Sequence, residues 1–227
     1  MAARPTRNAD LVARDLAVLW HPCTQMKDHE ALPPIPIRRG EGVWLEDFDG
    51  NRYLDAVSSW WVNLFGHANP RINAALKAQL DELEHVILAG FTHAPALELA
   101  ERLVALTPPG LERCFFSDNG STAVEIALKM SFHYWRNAGE PGRTRFVNLT
   151  NSYHGETLGA LAAGDVSLYK TTYEPLLMGV LTVPSPDCWH RAAGESCADP
   201  PRRLPEPLRG TLGRRAGAGG AGIGEPP

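Results

Sequence analysis

The chain lacks the features that would indicate a membrane, export or a nucleic acid. No apolar stretch of the 227-residue chain approaches the roughly 20 residues that a helix needs to cross a bilayer. The first dozen residues carry an acidic side chain and have no apolar core, so no secretion signal is predicted. The formal net charge is −4, and the first 200 residues contain no basic run, which argues against a surface for nucleic acid or anionic lipid.

Cysteine is scarce and gives no sign of a metal centre. The chain has four cysteines and no CxxC pair. Cys188, His190 and Cys197 lie near one another, but their spacing matches no common zinc module and their neighbours are typical of a loop. We therefore expect reduced thiols, no bound metal and a cytoplasmic location.

Residues 1–62 are predicted to form an N-terminal segment that belongs to a small domain. Residues 8–20 show a short helical pattern, and three prolines between residues 33 and 36 then force an extended path. Apolar and polar residues next alternate on both sides of Asp49 and Gly50, a pair that favours a tight turn. This pattern predicts a β-hairpin.

Residues 63–199 are predicted to form an incomplete large domain with an α/β fold. One helix begins at Asn69–Pro70 and a second covers residues 96–106. The first carries an apolar stripe at Ile72, Leu76, Leu80, Leu83 and Ile87. Two apolar runs follow, CFFS and RFVNL, each succeeded by a loop and a helix, and the first of these helices ends at Gly139. This order is typical of a parallel sheet, which binds ligands in the loops at the carboxyl ends of its strands.

Residues 200–227 depart from this pattern. They contain 7 glycines, 6 prolines and 5 arginines but no aromatic residue. Such a segment cannot bury enough apolar surface to pack, so a disordered tail is one interpretation. We favour out-of-frame translation of a GC-rich gene, because the α/β pattern stops part-way through the fold.

The first candidate loop contains Gly120 and Ser121. Glycine lets the backbone approach an anion closely, and Ser121 is predicted both to cap the following helix and to offer its hydroxyl group. Free amides of a first helical turn, together with the helix dipole, would complete a phosphate site. A serine in such a position is more often only a cap, so this loop alone leaves both interpretations open.

Aromatic residues provide the other candidates. Tyr153 follows the next predicted strand, where its ring could lie beside a molecule bound to the first loop or could simply close a turn over the core. Trp60 and Trp61 are adjacent, so in an extended chain their side chains point to opposite faces. One of the two tryptophans is therefore predicted to line a cavity or an interface.

Six segments, in this order, resemble the class III, fold-type I aminotransferases. They span about residues 18–180 and are HPCTQMKDHE, VWLEDFDGNRYLDAVSSWW, NLFGHANPRINAAL, THAPALELAERLV, FSDNGSTAVEIALKM and NSYHGET. The HPCT and SSWW segments are most similar to members that act in biotin biosynthesis. The resemblance implies a partial fold-type I transferase with pyridoxal 5′-phosphate as its cofactor. It also implies a homodimer and the substrates S-adenosylmethionine and 8-amino-7-oxononanoate.

The resemblance also implies roles for individual residues. It places Gly120 and Ser121 on the cofactor phosphate, Tyr153 near the cofactor ring and the substrate, and Trp60 in the wall of the substrate pocket. Cys23 stands where some members have a tyrosine that contacts the substrate, and a thiol lacks the reach and the hydrogen bond of that phenol.

The family's chemistry also needs a Schiff-base lysine and an aspartate that keeps the pyridine nitrogen protonated. The chain has only four lysines: Lys27, Lys77, Lys129 and Lys170. Lys129 follows Ser121 by eight residues, about 12 Å along a helix, and is predicted to face solvent, while Lys170 is predicted to lie in a loop. The chain is therefore expected to lack the catalytic lysine and to be inactive alone. Another class III ω-transaminase, and a non-catalytic protein that binds pyridoxal phosphate or a full-length partner, are the alternatives.

Overall fold

The structure, a computed structural model, describes residues 6–185. The segment 200–227 and the group of Cys188, His190 and Cys197 lie outside the described residues, and the expectations for them stay predictions. Between residues 6 and 185, no helix combines the length and the apolarity that a bilayer crossing requires.

The chain divides into two compact units, one ending at Glu101 and the other beginning at Arg102. Each unit contains a β-sheet of its own. The domain boundaries predicted after residues 62 and 199 stay predictions.

The first unit contains a three-stranded antiparallel sheet. Its elements are α1 (Arg7–Val18), a 3₁₀ turn (Met26–Glu30), β1 (Ile37–Glu41), β2 (Trp44–Asp47) and β3 (Arg52–Leu54), with strand order β1-β2-β3. Strands β2 and β3 form the predicted hairpin, and its turn contains Gly50 at a φ of 91°. Both the hairpin and its turn are therefore confirmed. Strand β1, which follows the prolines, was not predicted.

A buried carboxylate holds the hairpin turn. Asp47 is fully buried and accepts hydrogen bonds from the amides of Asp49 (3.0 Å) and Asn51 (2.8 Å). It also accepts from Asn51 Nδ2 and from the Tyr53 hydroxyl, each at 2.8 Å. Burial by itself would raise the pKa of Asp47, but the hydrogen bonds from Asn51 and Tyr53 outweigh it and lower the pKa below its usual range. The turn is therefore built around an ionised carboxylate.

A second carboxylate, Asp55, holds the chain that follows the sheet. Its Oδ2 accepts from Ser59 Oγ at 2.7 Å and lies 2.8 Å from His67 Nε2. His67 packs over Gly40 so closely that a Cβ added to this glycine would lie 2.7 Å from the histidine Cβ. Hydrogen bonds from the backbone and hydroxyl of Ser59, and then the interaction with His67, lower the pKa of Asp55 from 3.8 to about 2.

We expect acid to weaken this part of the first unit through Asp55. Because its pKa is lower in the folded chain than the usual 3.8, the carboxylate contributes fully above that value and loses its contribution as the pH falls towards 2. The amides of Gly42 and His67 each donate to the carbonyl of the other residue and report on this region. Their hydrogen exchange, corrected for intrinsic rates, should accelerate between about pH 5 and about pH 2. In Asp55→Asn this pH dependence should largely vanish, and equal dependence in both proteins would contradict the prediction.

The paired tryptophans lie in a left-handed turn, α2 (Ser58–Trp61), rather than in extended chain. All four residues of this turn have positive φ values, between 47° and 67°. Trp60 and Trp61 are 62% and 75% exposed, and their indole rings meet edge to face with centroids 6.2 Å apart. The extended segment for which opposite faces were predicted is therefore not formed, and successive side chains in a helical turn are about 100° apart rather than 180°.

Two helices follow the sheet: α3 (Pro70–Glu82), which lies in the first unit, and α4 (Ala94–Leu106), which crosses the boundary after Glu101. The Asn69 side chain accepts hydrogen bonds from the first-turn amides of α3, which confirms the predicted cap. The predicted apolar stripe is too long, however. Leu83 is extended (φ −163°, ψ 113°), so Leu83 and Ile87 lie beyond the helix.

The second unit has the predicted alternation of helix and parallel strand. Its elements are α5 (Gly120–Asn137), β4 (Phe146–Leu149), α6 (Leu158–Ala163), α7 (Ser167–Lys170), a 3₁₀ turn (Thr171–Leu176) and β5 (Val180–Val183). Strands β4 and β5 pair in parallel, from Phe146 with Val180 to Leu149 with Val183. Gly139, at a φ of 78°, follows α5 as predicted.

The core of the second unit lies around α6. Across residues 6–185 the buried hydrophobic residues are Ala160, Leu161, Ala162, Ala163 and Val183. The CFFS run at residues 114–117 is not a strand, because no described segment pairs with it. Phe115 there is 68% exposed.

Candidate functional site

Asn119, not Ser121, caps helix α5. The Asn119 side chain accepts from the Thr122 amide at 3.0 Å, and Thr122 Oγ1 accepts from the Asn119 amide at 3.1 Å. This reciprocal pair satisfies the cap, and Ser121 is already the second residue of the helix. The prediction that Ser121 caps the helix is therefore wrong, and its hydroxyl group is left for other contacts.

The first turn of α5 fits an anion. Among the residues that the structure describes, the amides of Gly120 and Ser121 donate to no acceptor, whereas those of Thr122 and Ala123 are taken by Asn119. A Cβ added to Gly120 would meet nothing within 4 Å, so the space beside this residue is open. Two free amides at the positive end of a helix dipole suit a phosphate such as that of the predicted cofactor.

The second candidate loop packs directly on this turn. Ser121 Oγ accepts a hydrogen bond from the Glu156 amide at 3.0 Å. Gly155 is buried, has a φ of 115°, and passes so close that a Cβ added to it would lie 1.8 Å from Ser121 Oγ. Because the serine oxygen acts as an acceptor here, its own proton stays available for donation. Gly155 was not among the predicted site residues, although its place in the SYHGE segment was visible in the sequence.

Tyr153 lies in the same cluster. Its hydroxyl donates to Glu156 Oε1 at 3.1 Å, and its ring lies 5.8 Å from the ring of Tyr169 at an angle of 59°. The side chain is 56% exposed, so one part of the ring is accessible. Tyr153 and Ser121 thus contact the same residue, Glu156. The two predicted loops come together, while the roles predicted for Gly120, Ser121 and Tyr153 towards a cofactor stay predictions.

Glu125 is a polar residue of this region that sequence reasoning missed. Its Oε1 accepts from Thr157 Oγ1 at 2.6 Å and from the amides of Gly159 and Ala160 at 2.7 and 3.1 Å. The bond from Thr157, then those from Ala160 and Gly159, lower the pKa of Glu125 despite partial burial, and the charge of Lys129 adds to this. Its spacing of four residues from Ser121, one turn of a helix, was the available signal.

Neither lysine of the second unit reaches the first turn of α5. Lys129 is exposed, as predicted, and lies two turns further along α5 than Ser121. Lys170 was predicted in a loop, but it ends α7, and its Nζ donates to the carbonyls of Gly164 (2.8 Å) and Ala162 (3.3 Å). The ammonium group therefore binds the carboxyl end of α6, where a cation is favourable.

Two other predicted residues belong to the first unit. Trp60 lies in the left-handed turn described above, and its assignment to a substrate-pocket wall stays a prediction. Cys23 is exposed and has a φ of 56°.

The sequence matches known proteins over most of its length. A family model described as aminotransferase class-III matches residues 25–207. A Helicobacter pylori protein named adenosylmethionine-8-amino-7-oxononanoate aminotransferase is 54% identical over 178 residues, which are 78% of this chain and 40% of that protein. The chain thus spans about two fifths of the length of the relatives that it matches.

Solved structures agree with this match. The crystal structure of adenosylmethionine-8-amino-7-oxononanoate aminotransferase from Methanocaldococcus jannaschii has a TM-score of 0.73 at 43% identity, covering 78% of this chain and 40% of that one. The ω-transaminase from Pseudomonas jessenii in complex with PMP has a TM-score of 0.74 at 30% identity, covering 82% and 42%. The chain therefore belongs to the class III aminotransferases, fold-type I enzymes that depend on pyridoxal phosphate.

Proposed function

We propose that the second unit contributes part of a pyridoxal 5′-phosphate site. In this proposal the amides of Gly120 and Ser121, with the Ser121 hydroxyl, hold the phosphate, and Tyr153 lies beside the ring. The observation that carries the proposal is the hydrogen bond between the Ser121 hydroxyl and the Glu156 amide, because Glu156 is also the residue that Tyr153 contacts. An anion site and an exposed aromatic ring thereby share one neighbour.

We propose further that the whole protein is an aminotransferase of biotin biosynthesis. It would move an amino group from S-adenosylmethionine to 8-amino-7-oxononanoate and give 7,8-diaminononanoate. The name of the relative at 54% identity supports this choice. When bound, the cofactor supplies an electron sink and a carrier for the amino group. Trp60 as a substrate-pocket wall, a homodimer and a cytoplasmic location belong to the same proposal.

The residues of this chain alone do not carry out the transfer in this proposal. Amino transfer needs a lysine that can bind the cofactor and move a proton beside it. Lys170 is hydrogen-bonded at the end of α6, and Lys129 is exposed two turns from Ser121. We therefore assign Lys170 a structural role and Lys129 a surface position, and we assign no catalytic residue.

An ω-transaminase is the second candidate. Solved ω-transaminases such as the Pseudomonas jessenii enzyme have TM-scores of 0.74 to this chain, at 30% identity. The two candidate functions differ in their amino donor. Measuring whether the whole protein turns over S-adenosylmethionine or a simple ω-amine separates them. A non-catalytic binding protein would take up pyridoxal phosphate but turn over neither donor.

The phosphate assignment can be tested with a pair of ligands. Pyridoxamine 5′-phosphate and pyridoxamine differ only in the phosphate, and neither has the aldehyde that reacts with surface lysines. We expect Ser121→Ala to weaken binding of the phosphorylated ligand about tenfold, the effect of losing one hydrogen bond to a charged group. Binding of pyridoxamine should fall by a smaller factor, because Thr157 still ties the loop that carries Tyr153 to Glu125. Titration calorimetry on the full chain gives both affinities.

Ser167→Ala is the matched control, because Ser167 is an exposed serine in the first turn of α7. This variant should bind both ligands as the unmodified chain does. Equal loss of both ligands in Ser121→Ala would contradict a specific phosphate contact. No binding of pyridoxamine 5′-phosphate by the unmodified chain would contradict the proposed site as a whole.

A further inference from the structure

One face of α5 contacts the second loop at two successive turns. Ser121 and Glu125 are four residues apart, so their side chains project from the same face of the helix. Ser121 binds the Glu156 amide, and Glu125 binds Thr157 and the first amides of α6. The chain is thus attached to α5 immediately after Tyr153, at two points one helical turn apart.

Glu125 supplies the cap that α6 lacks. Thr157 occupies the cap position of this helix, but its side chain makes no capping hydrogen bond. Its hydroxyl instead donates to Glu125, which also accepts from the amides of Gly159 and Ala160. A carboxylate is favoured there because the first amides of a helix are free and its dipole is positive at this end.

The absence of a side chain at position 159 is explained by the same contact. A Cβ added to Gly159 would lie 2.3 Å from Glu125 Oε2 and 2.7 Å from Oε1. Alanine is otherwise the better residue within a helix, by about 1 kcal/mol. Gly159 is therefore matched to the carboxylate from α5, and the two positions should be energetically coupled.

We propose that Glu125 is a positioning residue of the cofactor site. By holding the start of α6, it fixes the segment from Tyr153 to Thr157 against Ser121, and so determines where the Tyr153 ring stands relative to the first turn of α5. The consequence for ligand binding rests on the proposed function. The packing that underlies it can be measured without any ligand.

The packing step is tested by a double-mutant cycle on Glu125→Ala and Gly159→Ala. Alone, Gly159→Ala should speed hydrogen exchange of the α6 amides about tenfold, because the methyl group displaces the carboxylate. In the Glu125→Ala background the same substitution should slow exchange, since the methyl group fills vacated space in a better helix former. Strand β4 serves as the internal reference and should stay protected. Equal effects of Gly159→Ala in both backgrounds would overturn the inference.

The positioning step is tested with the same two ligands as the phosphate assignment. Glu125→Ala should weaken pyridoxamine 5′-phosphate and pyridoxamine by similar factors, about tenfold, because it moves the aromatic ring rather than the phosphate contact. Glu125→Gln should lie between this variant and the unmodified chain, since its amide oxygen still accepts hydrogen bonds. Glu112→Gln, at an exposed position, is the control and should change neither affinity.

The possible failures are distinguishable. If Ser121→Ala lowers affinity for the phosphorylated ligand but Glu125→Ala changes neither affinity, the positioning inference is wrong and the proposed site stands. If neither variant changes binding of pyridoxamine 5′-phosphate, the proposed site and the inference built on it are both wrong.

Discussion

Replacing Gly155 by alanine is expected to separate the two loops of the candidate site. The added Cβ would lie 1.8 Å from Ser121 Oγ and 3.0 Å from Ser121 Cα, so side-chain rotation alone cannot relieve the clash. The φ of 115° adds strain for any residue with a Cβ, of about 1–3 kcal/mol. We expect the second unit to lose roughly 3 kcal/mol of stability, combining this strain with overpacking of a buried contact.

Urea unfolding followed by circular dichroism measures this loss. Gly142→Ala is the matched control, because Gly142 is exposed and a Cβ there would meet nothing within 4 Å. It should unfold at nearly the same urea concentration as the unmodified chain. The Gly155→Ala variant should also bind pyridoxamine 5′-phosphate at least about tenfold more weakly, since the loop at Tyr153 moves away from α5. Identical unfolding of the two alanine variants would contradict the close approach of Gly155 to Ser121.

Replacing Asp47 by alanine is expected to open the hairpin of the first unit. The substitution removes the only acceptor that the structure shows for the Asn51 amide and the Tyr53 hydroxyl, and it does so in a fully buried position. Tyr53 is half-buried, and a donor that loses its acceptor away from water is costly, so the turn should rearrange rather than keep its shape. We expect the protection of the β2–β3 amides against hydrogen exchange to fall roughly a hundredfold.

Asp49→Ala is the control for the same turn. Asp49 is exposed, and its backbone amide, which any residue supplies, makes the contact to Asp47. Protection in this variant should fall by no more than a few-fold. Asp47→Asn should resemble Asp47→Ala more than the unmodified chain, because its NH₂ group would face the donors of Asn51 and Tyr53. Full protection in Asp47→Asn would show that charge and orientation at this position are unimportant.

Local signals predicted the elements well where the deciding residues lie within a few positions of one another. Asn69–Pro70 begins a helix, Gly139 follows one, and Asp49–Gly50 turns a hairpin, because caps and turns depend on neighbouring backbone groups. The error at Ser121 has the same local origin. Asn119 and Ser121 are both good capping residues. Asn119 is the cap because its partner in the reciprocal pair, Thr122, stands three positions later.

The family, the longer helices and the two loops that carry Gly120, Ser121 and Tyr153 were all evident from the sequence alone. Three features became visible only in the folded chain: Gly155 touches Ser121, Glu125 holds the start of α6, and the CFFS run pairs with no described strand. The reason is physical. A turn or a cap is satisfied by its own neighbours, whereas a strand needs a partner strand, and a glycine at a close approach, such as Gly155, is required by the residue that packs against it. These partners are more than 30 residues away in the chain, beyond the reach of any local pattern.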